Sequence, residues 1–129
     1  MTSSGEILSA RAPEPVGLYP HARKAGGLLF LSGIGPRRQG TNEIPATFDE
    51  QCRSLFDNVR LVLEDAGARW EDLVDVTVFL TDMKRDFAVY NQLYAEYFAS
   101  ARPCRTTIEV GALPTAISIE LKCIAEIRT

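Results

Sequence analysis

Apolar residues recur along this chain with two distinct periods, and the switches between them mark out the elements. From Thr47 onward, Phe48, Cys52, Leu55, Val59, Leu63 and Ala66 return at steps of three and four, the stripe of an amphipathic helix packed on one side. Thr47 with Glu50 forms a capping box at its start, and Gly67 supplies a C-terminal stop. Val74, Val76, Val78 and Leu80 then alternate with Asp75, Thr77 and Phe79, so the chain passes into a strand. A second helix begins near Asp86 with the stripe Phe87, Tyr90, Tyr94, Tyr97 and Phe98. It ends before Pro103, because proline disfavours helical geometry in the preceding residue.

The two ends of the chain read as strands. Residues 5–10 form a short one, and 18–25 pairs with 28–34 through Gly26-Gly27, a strong hairpin signal, before Gly33, Gly35 and Pro36 end it. Residues 105–110 and 117–122 alternate on either side of a Gly/Pro loop and are expected to close the fold as an antiparallel hairpin. In that hairpin Ile108 and Val110 face one way and Arg105, Thr107 and Glu109 the other; Ile117, Ile119, Leu121 and Cys123 oppose Ser118, Glu120 and Lys122. The natural registers bring Arg105 and Glu120 opposite each other on one face, within reach of one small ligand. The order β-β-β-α-β-α-β-β predicts an α+β two-layer sandwich, a mixed six-stranded sheet with both helices on one face. The second face is left to solvent or to sister subunits. Residues 11–16 and 36–45 are expected to be the least regular.

Composition narrows the function classes. With 129 residues, 46% hydrophobic and 24% charged, the chain is expected to form a single domain, 1–129, with its own core. A net charge of −3, with no Lys/Arg run longer than Arg37-Arg38, gives no electrostatic footprint for nucleic acid. Cys52, Cys104 and Cys123 are odd in number and form no CxxC pair. No charged-then-apolar leader and no long apolar run are present, so a cytoplasmic, reduced protein with no membrane partner is expected. One histidine, His21, and no Cys/His cluster argue for a mechanism without metal or other cofactor.

Ser32-Gly33 after an apolar strand, Asn91 in DFAVYN, Arg105 in RTTIEV, Leu113-Pro114, and Glu120 in ISIE together resemble the signature positions of the RidA family, also called YjgF. The similarity runs from about Tyr19 to the C-terminus. It implies a chorismate-mutase-like fold, a homotrimer with ligand clefts between subunits, and hydrolysis of reactive enamines and imines to keto acids and ammonia. Residues 80–91 and 104–122 look most like the 2-aminomuconate deaminase branch. Thr107 stands where the general imine deaminases, acting on 2-aminoacrylate or 2-iminobutanoate, commonly carry cysteine, and the loop from 40 to 48 is shorter than in the aminomuconate enzymes.

The chemistry of such a reaction assigns roles. An enamine acid tautomerises to an imine, water adds to the C=N carbon, and the adduct loses ammonia. A guanidinium clamps the carboxylate through two charge-assisted bonds, the candidate being Arg105. A carboxylate handles water and its proton, the candidate being Glu120. By resemblance Tyr19, Ser32, Gly33, Asn91 and Thr107 line the cleft. Arg37 and Arg38 are candidates for the distal carboxylate of a muconate-type substrate. Residue by residue the alternatives are a surface ion pair of Arg105 with Glu120 worth ~0–1 kcal/mol, with Glu109 competing as partner, a buried amide at Asn91, a core aromatic at Tyr19 and solvated loop arginines at 37 and 38. A noncatalytic metabolite-binding or chaperone-like trimer would keep Arg105 without needing Glu120, and RNA binding is disfavoured by the charge balance.

Overall fold

The computed structural model describes residues 5–127. Strands β1 (Glu6–Ile7), β2 (Ala22–Ala25) and β3 (Leu28–Leu31) come first, then helix α1 (Phe48–Asp65), a 3₁₀ turn (Trp70–Asp72), β4 (Leu73–Leu80), α2 (Met83–Tyr97), β5 (Cys104–Glu109) and β6 (Ile119–Glu126). One six-stranded sheet has the order β1-β2-β3-β6-β4-β5. It is mixed: β4 and β5 are parallel, and the other pairings are antiparallel. The predicted α+β architecture is therefore the observed one.

Thr47 caps α1, its hydroxyl accepting from Glu50 N at 3.2 Å and donating to Glu50 Oε1 at 2.9 Å. Cys52, Leu55, Phe56, Val59, Val62 and Leu63 are fully buried and meet Leu29, Leu31, Val76, Val78, Leu80, Ile119, Leu121 and Cys123 from one side of the sheet. Cys52 is thus a packing residue, and burial pushes its thiol up to about 12. The other side of the sheet is half covered, with Phe30 37% and Ile108 39% exposed.

The closing hairpin does not form. Strand β6 lies between β3 and β4, and β5 lies beyond β4 at the sheet edge. Parallel strands cannot be joined by a tight turn and need a crossover, which α2 provides between β4 and β5. The register then decides the faces. Arg105 is level with Val76 and so with Cys123, all on the helix side, whereas Glu120 is level with Phe79 and Ile108 on the open side. Arg105 and Glu120 of one protomer therefore stand on opposite faces, and Ile108 is not a core residue.

Several boundaries also move. Helix α2 starts at Met83, capped by Asp82, whose carboxylate accepts from Arg85 N at 3.0 Å. Strand β2 is shorter than 18–25, and residues 8–20 run as an irregular strap between β1 and β2.

Candidate functional site

Strand β3 leaves the sheet at Ser32-Gly33 and rejoins it at once. Ile34 exchanges backbone hydrogen bonds with Leu121 at 2.8 and 2.9 Å, which lays Gly33 directly against Glu120. A side chain at position 33 would put its Cβ 2.7 Å from Glu120 Oε2 and 2.9 Å from its Cδ. Only glycine leaves the carboxylate where it is. Glu120 has no hydrogen-bond partner among the described residues, and burial raises its pKa above the ordinary value. It faces a cavity of about 40 Å³ lined by Tyr19, Gly33, Gly35, Arg37 and Pro114, room for a few waters.

Of the predicted cleft residues, this cavity gathers Tyr19, Gly33, Arg37 and Glu120. Tyr19 is partly exposed, and its hydroxyl accepts from Val16 N at 3.3 Å. The Ser32 hydroxyl donates to Pro20 O at 2.7 Å, tying the strap to β3. Arg37 is held by neutral partners, donating to Asn42 Oδ1 at 2.8 Å and to Glu14 O at 2.6 Å, so its charge is not cancelled. Arg38 differs: it pairs with Glu43 at 3.4 Å and Glu50 at 3.9 Å, away from the cavity.

Arg105 occupies a separate setting against α2. Its Nη1 donates to Asn91 Oδ1 at 2.9 Å, and its guanidinium carbon lies 4.6 Å over Tyr94, 5.8 Å over Phe87 and 5.9 Å over Tyr90. Asn91 is thus an exposed partner of Arg105 and not an amide buried against backbone. Glu109 is no ion partner either, since its carboxylate accepts from Met83 N at 2.8 Å and caps α2. Among the described residues no carboxylate pairs with Arg105. Thr107 is on the same face of β5, its hydroxyl buried and without a partner among the described residues.

Sequence reasoning missed three residues that fix the Glu120 cavity. Asn58 Nδ2 donates to Gly35 O at 3.0 Å and Arg37 O at 2.8 Å; Ser54 donates to Pro36 O at 2.8 Å. Gln51 donates to Pro45 O at 3.1 Å and accepts from Ser118 N at 2.9 Å. All three are buried on α1. Their spacing, i, i+3, i+7, is a polar ridge beside the apolar stripe, the one signal that could have found them. No cluster of three or more potential metal ligands occurs among the described residues, and no helix there is long and apolar enough to cross a membrane.

Known proteins share both sequence and architecture with this chain. The family profile described as Endoribonuclease L-PSP matches residues 9–127. A RutC family protein of Pyrococcus horikoshii is 42% identical over 120 residues, 92% of this chain and 94% of that one. Reactive Intermediate Deaminase A, chloroplastic, of Arabidopsis thaliana is 35% identical over 122 residues, 93% of this chain and 65% of that one. The crystal structure of E. coli TdcF with bound serine superposes with a TM-score of 0.88 at 34% identity, covering 96% of this chain and 98% of that one. With the profile spanning nearly the whole chain and relatives above the 30% level across it, the chain belongs to the RidA/YjgF family, which takes in the endoribonuclease L-PSP and RutC proteins.

Proposed function

We propose that the protein is a hydrolytic deaminase that converts a reactive enamine or imine acid to the keto acid and ammonia, with 2-aminomuconate its favoured substrate. The observation that carries this reading is a pair of charges left uncancelled among the described residues: an Arg105 guanidinium whose partners, Asn91 and aromatic rings, include no carboxylate, and a half-buried Glu120 carboxylate with no hydrogen bond. A relative named as a reactive intermediate deaminase, and another solved with serine bound, support a small amino-acid-like ligand.

On this reading Arg105 binds the substrate carboxylate through its unused guanidinium edge. Glu120 takes a proton from water as the oxygen attacks the C=N carbon and passes it to the imine nitrogen, giving a carbinolamine; it then takes the hydroxyl proton and delivers it to the amine nitrogen as the C–N bond breaks, so that the C=O forms and NH3 leaves. Because these two groups stand on opposite faces of one sheet, a ligand touches both only where Arg105 of one protomer meets Glu120 of another. A homotrimer with clefts between subunits satisfies that requirement. Arg37, a cation beside Glu120 with only neutral partners, is suited to the second carboxylate of a muconate; Gly33, Tyr19 and Ser32 shape the cleft around it. The protein is proposed to be cytoplasmic, to need no cofactor, and to have no nucleic-acid or membrane partner.

The test offers enzymatically generated 2-aminomuconate and 2-aminoacrylate in parallel and measures ammonia release by wild type, Arg105→Ala and Glu120→Gln. Faster turnover of aminomuconate, with both variants impaired, is expected. Preference for 2-aminoacrylate would replace the substrate, unchanged release by Glu120→Gln would overturn the catalytic role of Glu120, and no release by wild type above the uncatalysed rate would leave only a binding protein.

A further inference from the structure

Four residues of α2 are spent on one side chain. Phe87, Tyr90, Asn91 and Tyr94 fall at i, i+3, i+4 and i+7, a single helix face, and all four contact the Arg105 guanidinium. The nearest ring is Tyr94 at 4.6 Å. That ring is itself fixed, stacked on Phe98 at 4.1 Å with planes 13° apart and tilted against Tyr90 at 5.6 Å. The hydroxyls of Tyr90 and Tyr94 are buried and find no hydrogen-bond partner among the described residues. These tyrosines thus serve Arg105 through their π faces and not through their oxygens. Burial pushes both phenols up, so they stay neutral and present no competing anion to the guanidinium.

We infer that Tyr94, backed by Tyr90 and Phe87, is a positioning residue: its ring holds the Arg105 guanidinium in one place while Asn91 occupies one edge, leaving the other edge ready for a carboxylate. This rests on the proposed role of Arg105 and adds what makes the clamp work. A free arginine side chain samples many rotamers, and a ligand that must freeze it binds more weakly. A guanidinium lying over aromatic faces is already frozen, and it keeps its full charge because rings, unlike carboxylates, do not neutralise it. The site therefore selects planar carboxylates that use a fixed fork, and a ligand without a carboxylate gains nothing from the cradle.

The ring's electrostatics can be changed without changing its shape. Position 94 is replaced by phenylalanine and then by phenylalanines carrying one, two and five ring fluorines, which progressively remove the negative face. The Kd of 2-oxobutanoate is measured by calorimetry, together with kcat and KM for 2-aminoacrylate and the Tm of each variant. Phenylalanine is expected to bind within about twofold of tyrosine, and Kd and KM to climb stepwise to about five- to tenfold at five fluorines, with kcat and Tm holding. A purely structural Tyr94 would move Tm and leave the fluorine series flat; a flat or falling Kd series overturns the inference. Arg105→Ala separates the two layers: if it binds 2-oxobutanoate as wild type does, the carboxylate clamp itself is wrong. If it loses binding while the fluorine series stays flat, only the aromatic cradle is wrong.

Discussion

Gly33→Ala is the smallest change that should separate stability from the chemistry proposed for Glu120. A methyl at position 33 lies 2.7 Å from Glu120 Oε2, whereas ordinary contact begins near 3.4 Å, so the carboxylate must retreat by roughly 0.7 Å. The obstructing atoms are the tip of a flexible side chain, and Gly33 is not among the glycines with positive φ. Alanine therefore meets no backbone strain there. Pushing Glu120 off its rotamer costs ~0.5–1.5 kcal/mol, and stiffening the unfolded chain returns ~0.4–1 kcal/mol. Net stability should stay within about 1 kcal/mol, a Tm change of no more than ~5 °C for a domain of this size. A catalytic group displaced by much of an ångström loses up to ~10²-fold in rate. The expected result is a kcat for ammonia release lowered about ten- to a hundredfold in a variant that melts almost as wild type does. A crystal structure of the variant with the carboxylate displaced and kcat unaltered would refute the role of Glu120; a Tm loss well beyond that range would refute the steric reasoning.

Three further perturbations test the same region. Burial raises the folded-state pKa of Glu120 above the ordinary 4.5, so the charged form costs stability that is absent below the unfolded pKa and fully felt above the folded one. Glu120→Gln should therefore melt higher than wild type at pH 7, with the advantage fading as pH falls through the raised folded-state pKa towards the ordinary 4.5; an advantage independent of pH would contradict this. Asn58→Ala removes both donors to the Gly35 and Arg37 carbonyls and should cost ~2–3 kcal/mol in urea unfolding, while raising KM because Arg37 is no longer placed. Arg37→Gln should raise KM for a dicarboxylate by ~10-fold or more and for a monocarboxylate enamine by far less, whereas Arg38→Gln, removing a cation already paired with Glu43 and Glu50, should affect neither.

Elements governed by local rules were legible. Helix α1 has a continuous 3.6-residue stripe, a capping box and a glycine stop, and it forms where these place it. Helix α2 starts earlier than its stripe because Asp82 caps a first turn, Met83-Lys84-Arg85, of which only Met83 packs against the core. Phe87 has the spacing of a core residue yet is 37% exposed, since what it packs against is the guanidinium of Arg105. The ridge of Gln51, Ser54 and Asn58 shows in the sequence only as a spacing, which does not say that it is buried. Polar residues on a helix read as its wet face, and no sequence period marks a loop whose carbonyls will come to lie on it.

The closing hairpin shows where periodicity stops being informative. Alternation fixes which residues of a strand share a face, but it names neither the neighbouring strand nor the side that becomes the core. In residues 105–110 the apolar candidates, Ile108 and Val110, suggest one core side, and α2 covers the other with aromatic rings that accept a cation. Adjacency in sequence likewise suggests β5 beside β6, and the α2 crossover instead sends β5 to the edge and leaves β6 the gap between β3 and β4. That exchange has a chemical consequence. Had the hairpin formed, one protomer would hold Arg105 and Glu120 together, where they would cancel as an ion pair. On opposite faces they cannot neutralise each other within a protomer: the guanidinium keeps its charge, the carboxylate keeps its raised proton affinity, and both remain available to a ligand. On the proposed reading the same separation makes catalysis a property of the assembly, so dissociating the oligomer should abolish ammonia release before the protomer unfolds.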